Sequence, residues 1–195
     1  MKDKYKILLI ISGGISAYKC LELIRVIKND GNDVKTILTE GGANFVTPLS
    51  ITAISNEKVY QDIFSLNDES EMDHIQLSRE SDVIVVAPAS ANIIARSANG
   101  ICSDLATTVL LASNKPIIFA PAMNSHMWNN PATQRNIVLL KKDNINLIGP
   151  EPGDLACGEE GLGRMSEPDD IYEYILSILK NKKKKQTKSA LVTAG

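Results

Sequence analysis

This sequence has no strong charge of one sign, no long hydrophobic run and no cysteine spacing typical of a metal site. The formal net charge is −2, so nothing draws the chain as a whole to nucleic acid or anionic lipid. The longest early apolar run, residues 7–11, is too short to span a bilayer and has no cleavage-type flank. Cys20, Cys102 and Cys157 are odd in number, which argues for reduced thiols. These absences predict a soluble, cytoplasmic protein with no metal site and with neither nucleic acid nor membrane as a partner.

Aromatic residues are also few, at 5%, whereas 44% of the 195 residues are hydrophobic. This balance suits an aliphatic parallel sheet beneath helices, and the length suits one domain of ordinary size. Continuous apolar runs bounded by turn residues recur at residues 7–11, 34–38, 83–87, 117–120 and 145–148. Right-handed crossovers place helices on both faces of such a sheet. The predicted fold is therefore of the α/β class: a three-layer α/β/α, Rossmann-like (flavodoxin-like) parallel sheet.

Helical spacing of apolar residues predicts a helix over residues 15–28, with Cys20 in its buried face. Further helices are predicted over 131–140 and 166–179, each opened by a proline in its first turn. The run 149–167 is rich in glycine and shows no periodicity. Long loops of this kind inside compact domains are typical of functional lids, so we expect a structureless lid here.

The end of the chain changes character after residue 181. Residues 1–181 are predicted to form one domain, and the lysine-rich residues 182–189 a solvated linker. Residues 190–195 read as an apolar strand running into a small-residue turn, which is typical of the start of a second nucleotide-binding unit. A frayed tail is the alternative for this last segment.

Small and hydroxyl-bearing residues follow three predicted strands at one edge of the sheet, in segments 12–16, 39–41 and 88–92. Backbone amides at the start of a helix hold phosphate well, so these turns predict a phosphate-bearing ligand. The first segment lacks the third glycine of the G-x-G-x-x-G fingerprint, which favours a mononucleotide over a dinucleotide. Ordinary turns and helix caps are the alternative.

Three side chains are candidates for chemistry. Asn124 directly follows a predicted strand, where α/β sheets place their ligand crevice, although an Asn there is also a common helix cap. His74 opens a predicted short helix and titrates near neutrality, so it can take a proton; a surface or capping role is the alternative. Cys157 lies in the glycine-rich run, where a thiol can approach a ligand and donate a proton. His126 is the weaker histidine, and Cys102 is expected to pack in the interior.

Six segments of the chain resemble the homo-oligomeric flavin-containing cysteine decarboxylases, specifically the decarboxylase half of bifunctional coenzyme A biosynthesis enzymes. They are ISGGISAYK (11–19), TEGGANFVTP (39–48), HIQL (74–77), APASAN (87–92), APAMNSHMWNNPATQ (120–134) and LACGEEGLGRMSEP (155–168). The resemblance covers residues 5–180. It implies a carbon–carbon lyase that decarboxylates 4'-phospho-N-pantothenoylcysteine to 4'-phosphopantetheine with FMN as cofactor.

In this family the resemblance implies oxidation of the thiol-bearing carbon to a thioaldehyde, loss of carbon dioxide to give an enethiol, and reduction of the enethiol. His74 is implied as the base, Asn124 as the ligand of the substrate carboxylate and Cys157 as the proton donor. The implied FMN contacts are Gly13, Gly14, Ile15, Thr39, Glu40, Gly41, Ser90, Ala91, Asn92, Ile93 and Ala122. The implied substrate contacts are Met123, Asn124, Ala156, Arg164 and Met165.

The sequence departs from the family at two positions, with Ile93 where relatives often carry Thr and Ser103 where many carry Asp. Hydroxyl and carboxylate contacts at these positions are therefore not expected. The resemblance also implies a homotrimer, or a higher multiple of trimers, with the flavin near a subunit boundary. The ending LVTAG (191–195) resembles the first strand of a synthetase half, so ligase activity is not expected of this chain. Peptidyl-cysteine decarboxylation, flavin prenyl transfer and a non-catalytic flavin-binding regulatory role are the alternatives.

Overall fold

The computed structural model describes residues 4–61, 73–154, 158 and 160–192, with side chains throughout these ranges except at 73, 74 and 183–192. Two residues singled out by the sequence, Ala156 and Cys157, lie outside the described residues. His74 is described only through its backbone, which lies in a helix as predicted.

The main sheet has six parallel strands, which follow the predicted apolar runs and add one short strand at an edge. They are β1 (Lys6–Ile11), β2 (Asp33–Leu38), β3 (Val59–Tyr60), β4 (Val83–Ala89), β5 (Ile117–Pro121) and β6 (Asn146–Leu147). Their order is β3-β2-β1-β4-β5-β6. This is the Rossmann order with its switch point between β1 and β4, and it differs from the 2-1-3-4-5 order of flavodoxin. The predicted three-layer Rossmann-like fold is confirmed.

Nine helices accompany the sheet in the described ranges: α1 (Lys19–Asn29), α2 (Glu40–Ala43), α3 (Pro48–Ser55), α4 (Asp73–Glu80), α5 (Ala91–Ala98), α6 (Leu105–Ala112), α7 (Ser125–Asn129), α8 (Pro131–Lys142) and α9 (Pro168–Val192). A turn of 3-10 helix, Ile15–Tyr18, precedes α1, so the predicted helix over 15–28 begins in a tighter form. The start of α8 is set as expected, because Asn130 caps it and Pro131 occupies its first turn.

Alternate residues of each central strand point into two separate hydrophobic clusters, one on each face of the sheet. One cluster packs Leu9 and Val85 against α1, α3 and α9, and buried Cys20 lies there as predicted. The other packs Ile10 and Val86 against α4, α5, α6 and α8. Burial on both faces explains why these strands appear in the sequence as continuous apolar runs.

The run 149–167 contains a two-stranded antiparallel sheet, β7 (Glu151–Asp154) paired with β8 (Glu160–Arg164). The prediction of a structureless loop was therefore wrong for the described part of this run. The reason is that backbone pairing supplies the order, and Gly153 faces Gly161 in the register, so the side chains carry no alternating pattern.

Helix α9 continues to Val192, through the lysine-rich segment and into the last apolar residues. The predicted strand from residue 190 is therefore not formed where the structure describes the chain. Lysine, glutamine and leucine favour helix, and a lone strand has no neighbour to pair with. The division into domain, linker and second unit remains a prediction. No helix within the described ranges is both long and apolar enough to cross a membrane.

Candidate active site

A cavity of about 500 Å³, the main cavity, opens at the carboxyl ends of β1 and β5. This volume is in the usual range of small-molecule sites, and the position beside the switch point is where Rossmann-like sheets bind ligands. Seven of the sequence-predicted residues meet here: Gly14, Ile15, Ala122, Met123, Asn124, Arg164 and Met165. Ser16, Tyr18, Lys19, Asp154 and Gly163 complete the lining.

The wall of the main cavity is held together by backbone hydrogen bonds between elements distant in sequence. The amide of Met123 donates to the carbonyl of Gly163 at 3.0 Å, and the amide of Ala122 donates to the carbonyl of Ala89 at 3.2 Å. Gly161 lies close to α7, since a Cβ there would be 3.0 Å from Cβ of Ser125. The hairpin β7–β8 therefore packs directly against the segment that follows β5.

Asn124 is half-buried in the wall of the main cavity and also caps α7. Its Oδ1 accepts hydrogen bonds from the amides of His126 at 2.8 Å and Met127 at 3.4 Å. The capping alternative is thus observed, and it is compatible with the ligand role because the cap fixes the side chain at the cavity. His126 itself is exposed.

Two cations and one carboxylate lie together beside the main cavity. The ammonium of Lys19 is 2.8 Å from Oε1 of Glu167, and Nη1 of Arg164 is 3.6 Å from the same oxygen. The sequence interpretation named Arg164 but neither Lys19 nor Glu167. The motifs ISGGISAYK and LACGEEGLGRMSEP contain both residues, although no local pattern indicates that they pair across 148 positions.

The turns after β1 and β4 are joined by their serine side chains. Oγ of Ser12, which is buried, donates to the carbonyl of Pro88 at 2.6 Å and accepts from the amide of Ser90 at 3.1 Å. Oγ of Ser90 lies 3.1 Å from Oγ of Ser12 and caps α5 by accepting from the amide of Ile93. The predicted neighbourhood of these two turns is confirmed.

Glycines allow the turn after β1 to approach α2 closely. A Cβ on Gly13 would lie 3.1 Å from the backbone carbon of Gly41, and one on Gly42 would lie 2.6 Å from the carbonyl oxygen of Ile11. Thr39 caps α2 by accepting from the amide of Gly42, and its own hydroxyl donates to the carbonyl of Ile11. Side chains at positions 13 and 42 would push these two segments apart.

Thr39 and Glu40 do not line the main cavity. They line a smaller cavity of about 300 Å³, together with Gln61 and Asp104. Of the predicted cofactor residues, Gly14, Ile15 and Ala122 therefore line the main cavity and Thr39 and Glu40 the smaller one. Ser90, Ala91 and Asn92 begin α5 at the same edge of the sheet.

The two departures from the family pattern have structural consequences. Ile93 is buried in the hydrophobic cluster, so only its backbone faces the turn. Ser103 is contacted by Arg96, whose Nη1 also lies 2.7 Å from the carboxylate of Asp104. Burial alone would raise the pKa of Asp104, but hydrogen bonds from Thr107 and Arg96 outweigh it and lower that pKa. A carboxylate is thus present one residue after Ser103.

The thiols differ in environment. Cys20 is fully buried and donates to the carbonyl of Ala87 at 2.9 Å, and burial raises the pKa of its thiol, so it is inert as a nucleophile. Cys102 is exposed, so the expectation that it packs in the interior was wrong; it lies in the turn that precedes the Asp104 cap of α6.

Comparison with known proteins identifies the family of this chain. The flavoprotein family model matches residues 1–180. The coenzyme A biosynthesis bifunctional protein CoaBC of Haemophilus influenzae is 44% identical over 185 residues, which are 95% of this chain and 46% of that protein. The chain thus spans about half the length of the curated relatives it matches.

Solved structures agree with this placement. A cysteine-to-serine mutant of PPC decarboxylase complexed with pantothenoylaminoethenethiol has a TM-score of 0.82 and 34% identity, covering 91% of this chain and 100% of that one. The FMN binding protein AtHal3 has a TM-score of 0.79 and 34% identity, covering 92% of this chain and 98% of that one. The fold, the glycine turns at the switch point and the sequence likeness lead to one conclusion: this chain belongs to the flavoprotein family.

Proposed function

We propose that the chain is an FMN-dependent decarboxylase that converts 4'-phospho-N-pantothenoylcysteine to 4'-phosphopantetheine in coenzyme A biosynthesis. One observation carries the proposal: Met123, Asn124 and Arg164 line a single cavity in a chain that resembles PPC decarboxylase bound to an aminoethenethiol. The family's name and the likeness to an FMN binding protein support the cofactor.

The residues present fit a flavin mononucleotide. The backbones of Gly13 and Gly41 approach so closely that a Cβ on either would crowd the other, so two glycine backbones meet at the ligand edge, where a phosphate can approach main-chain amides. The Ser12–Ser90 pair and the start of α5 add hydroxyls and a helix amino end. The residues that would hold FMN are Gly13, Gly14, Ile15, Thr39, Glu40, Gly41, Ser90, Ala91, Asn92, Ala122 and the backbone of Ile93.

When bound, FMN supplies reversible two-electron oxidation of the thiol-bearing carbon, which creates the electron sink that decarboxylation needs. Asn124 binds the departing carboxylate from its fixed position at the start of α7. His74 takes the thiol proton, and Cys157 returns a proton to the α-carbon of the enethiol. Met123, Ala156, Arg164 and Met165 hold the remainder of the substrate. The roles of His74, Ala156 and Cys157 are carried over from the resemblance alone.

The proposed enzyme is cytoplasmic and assembles as a homotrimer or a multiple of trimers. Two large side chains that line the main cavity, Ile15 and Tyr18, are 56% and 57% exposed, and Met127 in α7 and Leu162 in β8 are also exposed. Such a rim is typical of a surface that a second subunit covers. Synthetase activity is not proposed for these residues.

The experiment that tests the proposal offers two substrates to the flavin-loaded protein. One is 4'-phospho-N-pantothenoylcysteine and the other a peptide that ends in cysteine, each followed by mass spectrometry for loss of carbon dioxide. We expect turnover of the first and little of the second. Preference for the peptide would replace the proposal with peptidyl-cysteine decarboxylation. Flavin binding without turnover of either substrate would favour a regulatory role.

A further inference from the structure

Lys19 is an enclosed cation in the wall of the main cavity that the proposed chemistry does not yet use. Its side chain is only 14% exposed, and it is the first residue of α1. The 3-10 turn Ile15–Tyr18 runs directly into α1, so Lys19 lies one turn inside the helical segment. An ammonium enclosed to this degree needs polar or charged partners that replace its lost hydration.

Among the residues that the structure describes, Lys19 pairs with a carboxylate that it shares with a second cation. Oε1 of Glu167 lies 2.8 Å from Nζ of Lys19 and 3.6 Å from Nη1 of Arg164, so a single carboxylate oxygen serves two cations. Asp154 also lines the main cavity, and both Asp154 and Arg164 are exposed, so the enclosed charge among these described residues is that of Lys19. The carboxylate that balances Lys19, Glu167, is itself 45% exposed and is shared with Arg164.

We propose that Lys19 binds a phosphate monoester in the main cavity, with Arg164 beside it and Glu167 as a positioning residue. The inference rests on the proposed function, because both the cofactor and the substrate of that reaction carry such a group. A lysine ammonium binds phosphate as a point charge, and an arginine guanidinium can add two parallel hydrogen bonds. Glu167 keeps the Lys19 side chain extended toward the cavity until the anion arrives.

The test compares each phosphorylated ligand with its dephosphorylated form, in the wild-type chain and in Lys19→Met. One arm measures kcat/KM for 4'-phospho-N-pantothenoylcysteine against N-pantothenoylcysteine. The other measures Kd for FMN against riboflavin, using protein stripped of flavin. We expect Lys19→Met to reduce one of these two preferences by about tenfold or more, and the arm in which this occurs identifies the source of the phosphate.

Four further variants sharpen the result. Lys28→Met, in the last turn of α1 and away from the main cavity, is expected to leave both preferences unchanged. Lys19→Arg keeps the charge and should retain most of the preference. Glu167→Gln should raise KM for the phosphorylated substrate, or Kd for FMN, without lowering kcat, because it disturbs only the placement of Lys19. If Lys19→Met does not fold, Lys19→Gln, which keeps a polar head, carries the same comparison.

Unchanged preferences in both arms, in a variant whose circular dichroism matches the wild type, would overturn the role of Lys19. This outcome differs from failure of the proposed function. A wild-type chain that binds FMN and releases no carbon dioxide refutes the reaction, and the flavin arm then decides the role of Lys19 alone.

Discussion

The amide of Met123 donates a 3.0 Å hydrogen bond to the carbonyl of Gly163, which ties the segment after β5 to strand β8. Asn124 follows one partner in the chain and Arg164 follows the other, so this bond fixes the distance between two proposed substrate residues. Packing of Gly161 against Ser125 adds a second contact between the same elements. The site is therefore carried on ordered backbone, as precise positioning requires.

The two roles of Asn124 can be separated by Asn124→Asp. Aspartate caps a helix as well as asparagine does, so we expect unchanged folding stability, whereas its charge repels the substrate carboxylate and lowers kcat/KM by at least about tenfold. Asn124→Ala should in addition lower the free energy of unfolding by about 1 kcal/mol. The control is Asn130→Asp, the same change at the neighbouring cap of α8, outside the main cavity. Wild-type turnover by Asn124→Asp would remove Asn124 from the carboxylate site.

Replacement of Cys157 by serine should stop the reaction after carbon dioxide has left. A hydroxyl is a far weaker acid than a thiol, so the enethiol is not protonated and accumulates; mass spectrometry of the products measures it. Cys102→Ser, at the exposed thiol, should behave as the wild type does. Normal formation of 4'-phosphopantetheine by Cys157→Ser would exclude the proton-donor role.

The close packing of α2 predicts a graded cost at its two glycines. Gly42→Ala places a Cβ about 2.6 Å from the carbonyl oxygen of Ile11, so we expect a loss of about 1–3 kcal/mol in the free energy of unfolding by urea. Gly41→Ala, whose new Cβ comes no closer than 3.3 Å to Gly13, should cost less. Equal stability of the two variants would contradict the close packing of Gly42 against the end of β1.

Asp104 should contribute to folding stability in a way that depends on pH. Its pKa is lowered in the folded protein, so the charged form stabilises the fold above the unfolded pKa of about 3.9, and this contribution is lost as pH falls through the lower folded value. At neutral pH the free energy of unfolding of the wild type should exceed that of Asp104→Asn by less than about 1 kcal/mol, because the ion pair between Asp104 and Arg96 is partly exposed. Urea unfolding at a series of pH values measures this difference, which should vanish in acid.

The control for this prediction introduces Arg96→Gln into both the wild type and Asp104→Asn. The pH-dependent difference between their free energies of unfolding should then shrink, because the guanidinium that stabilises the charged form of Asp104 is missing. A difference that grows as pH falls would show that Asp104 is not stabilised in its charged form.

Much of the fold could be predicted because the central strands are buried on both faces and so appear as uninterrupted apolar runs. The hairpin β7–β8 could not, since glycine-rich strands pair through backbone groups and leave no side-chain pattern. The extension of α9 was also missed, because residues 182–192 satisfy either a linker or a helix until their neighbours are known. Strand β3 is only two residues long and lies below the length that periodicity detects.

Some residues of the candidate site could likewise be predicted from the sequence, and others could not. The position of Asn124 was predictable because it follows a buried strand at the ligand edge, whereas Met123 and Ala122 were expected only from the family resemblance. Lys19 and Glu167 were not, because their pairing depends on α1 and the start of α9 meeting in space. The placement of Thr39 and Glu40 in the smaller cavity was equally beyond the sequence, since the loops and helices packed around neighbouring strand ends decide which of them share a cavity.

The most direct test of this account measures carbon dioxide released from carboxyl-labelled 4'-phospho-N-pantothenoylcysteine by three samples: protein as purified with its flavin, protein stripped of flavin, and stripped protein reloaded with FMN. The account predicts release in the first and third samples and none in the second. Equal release by the stripped protein, or a protein that takes up no FMN, would contradict it.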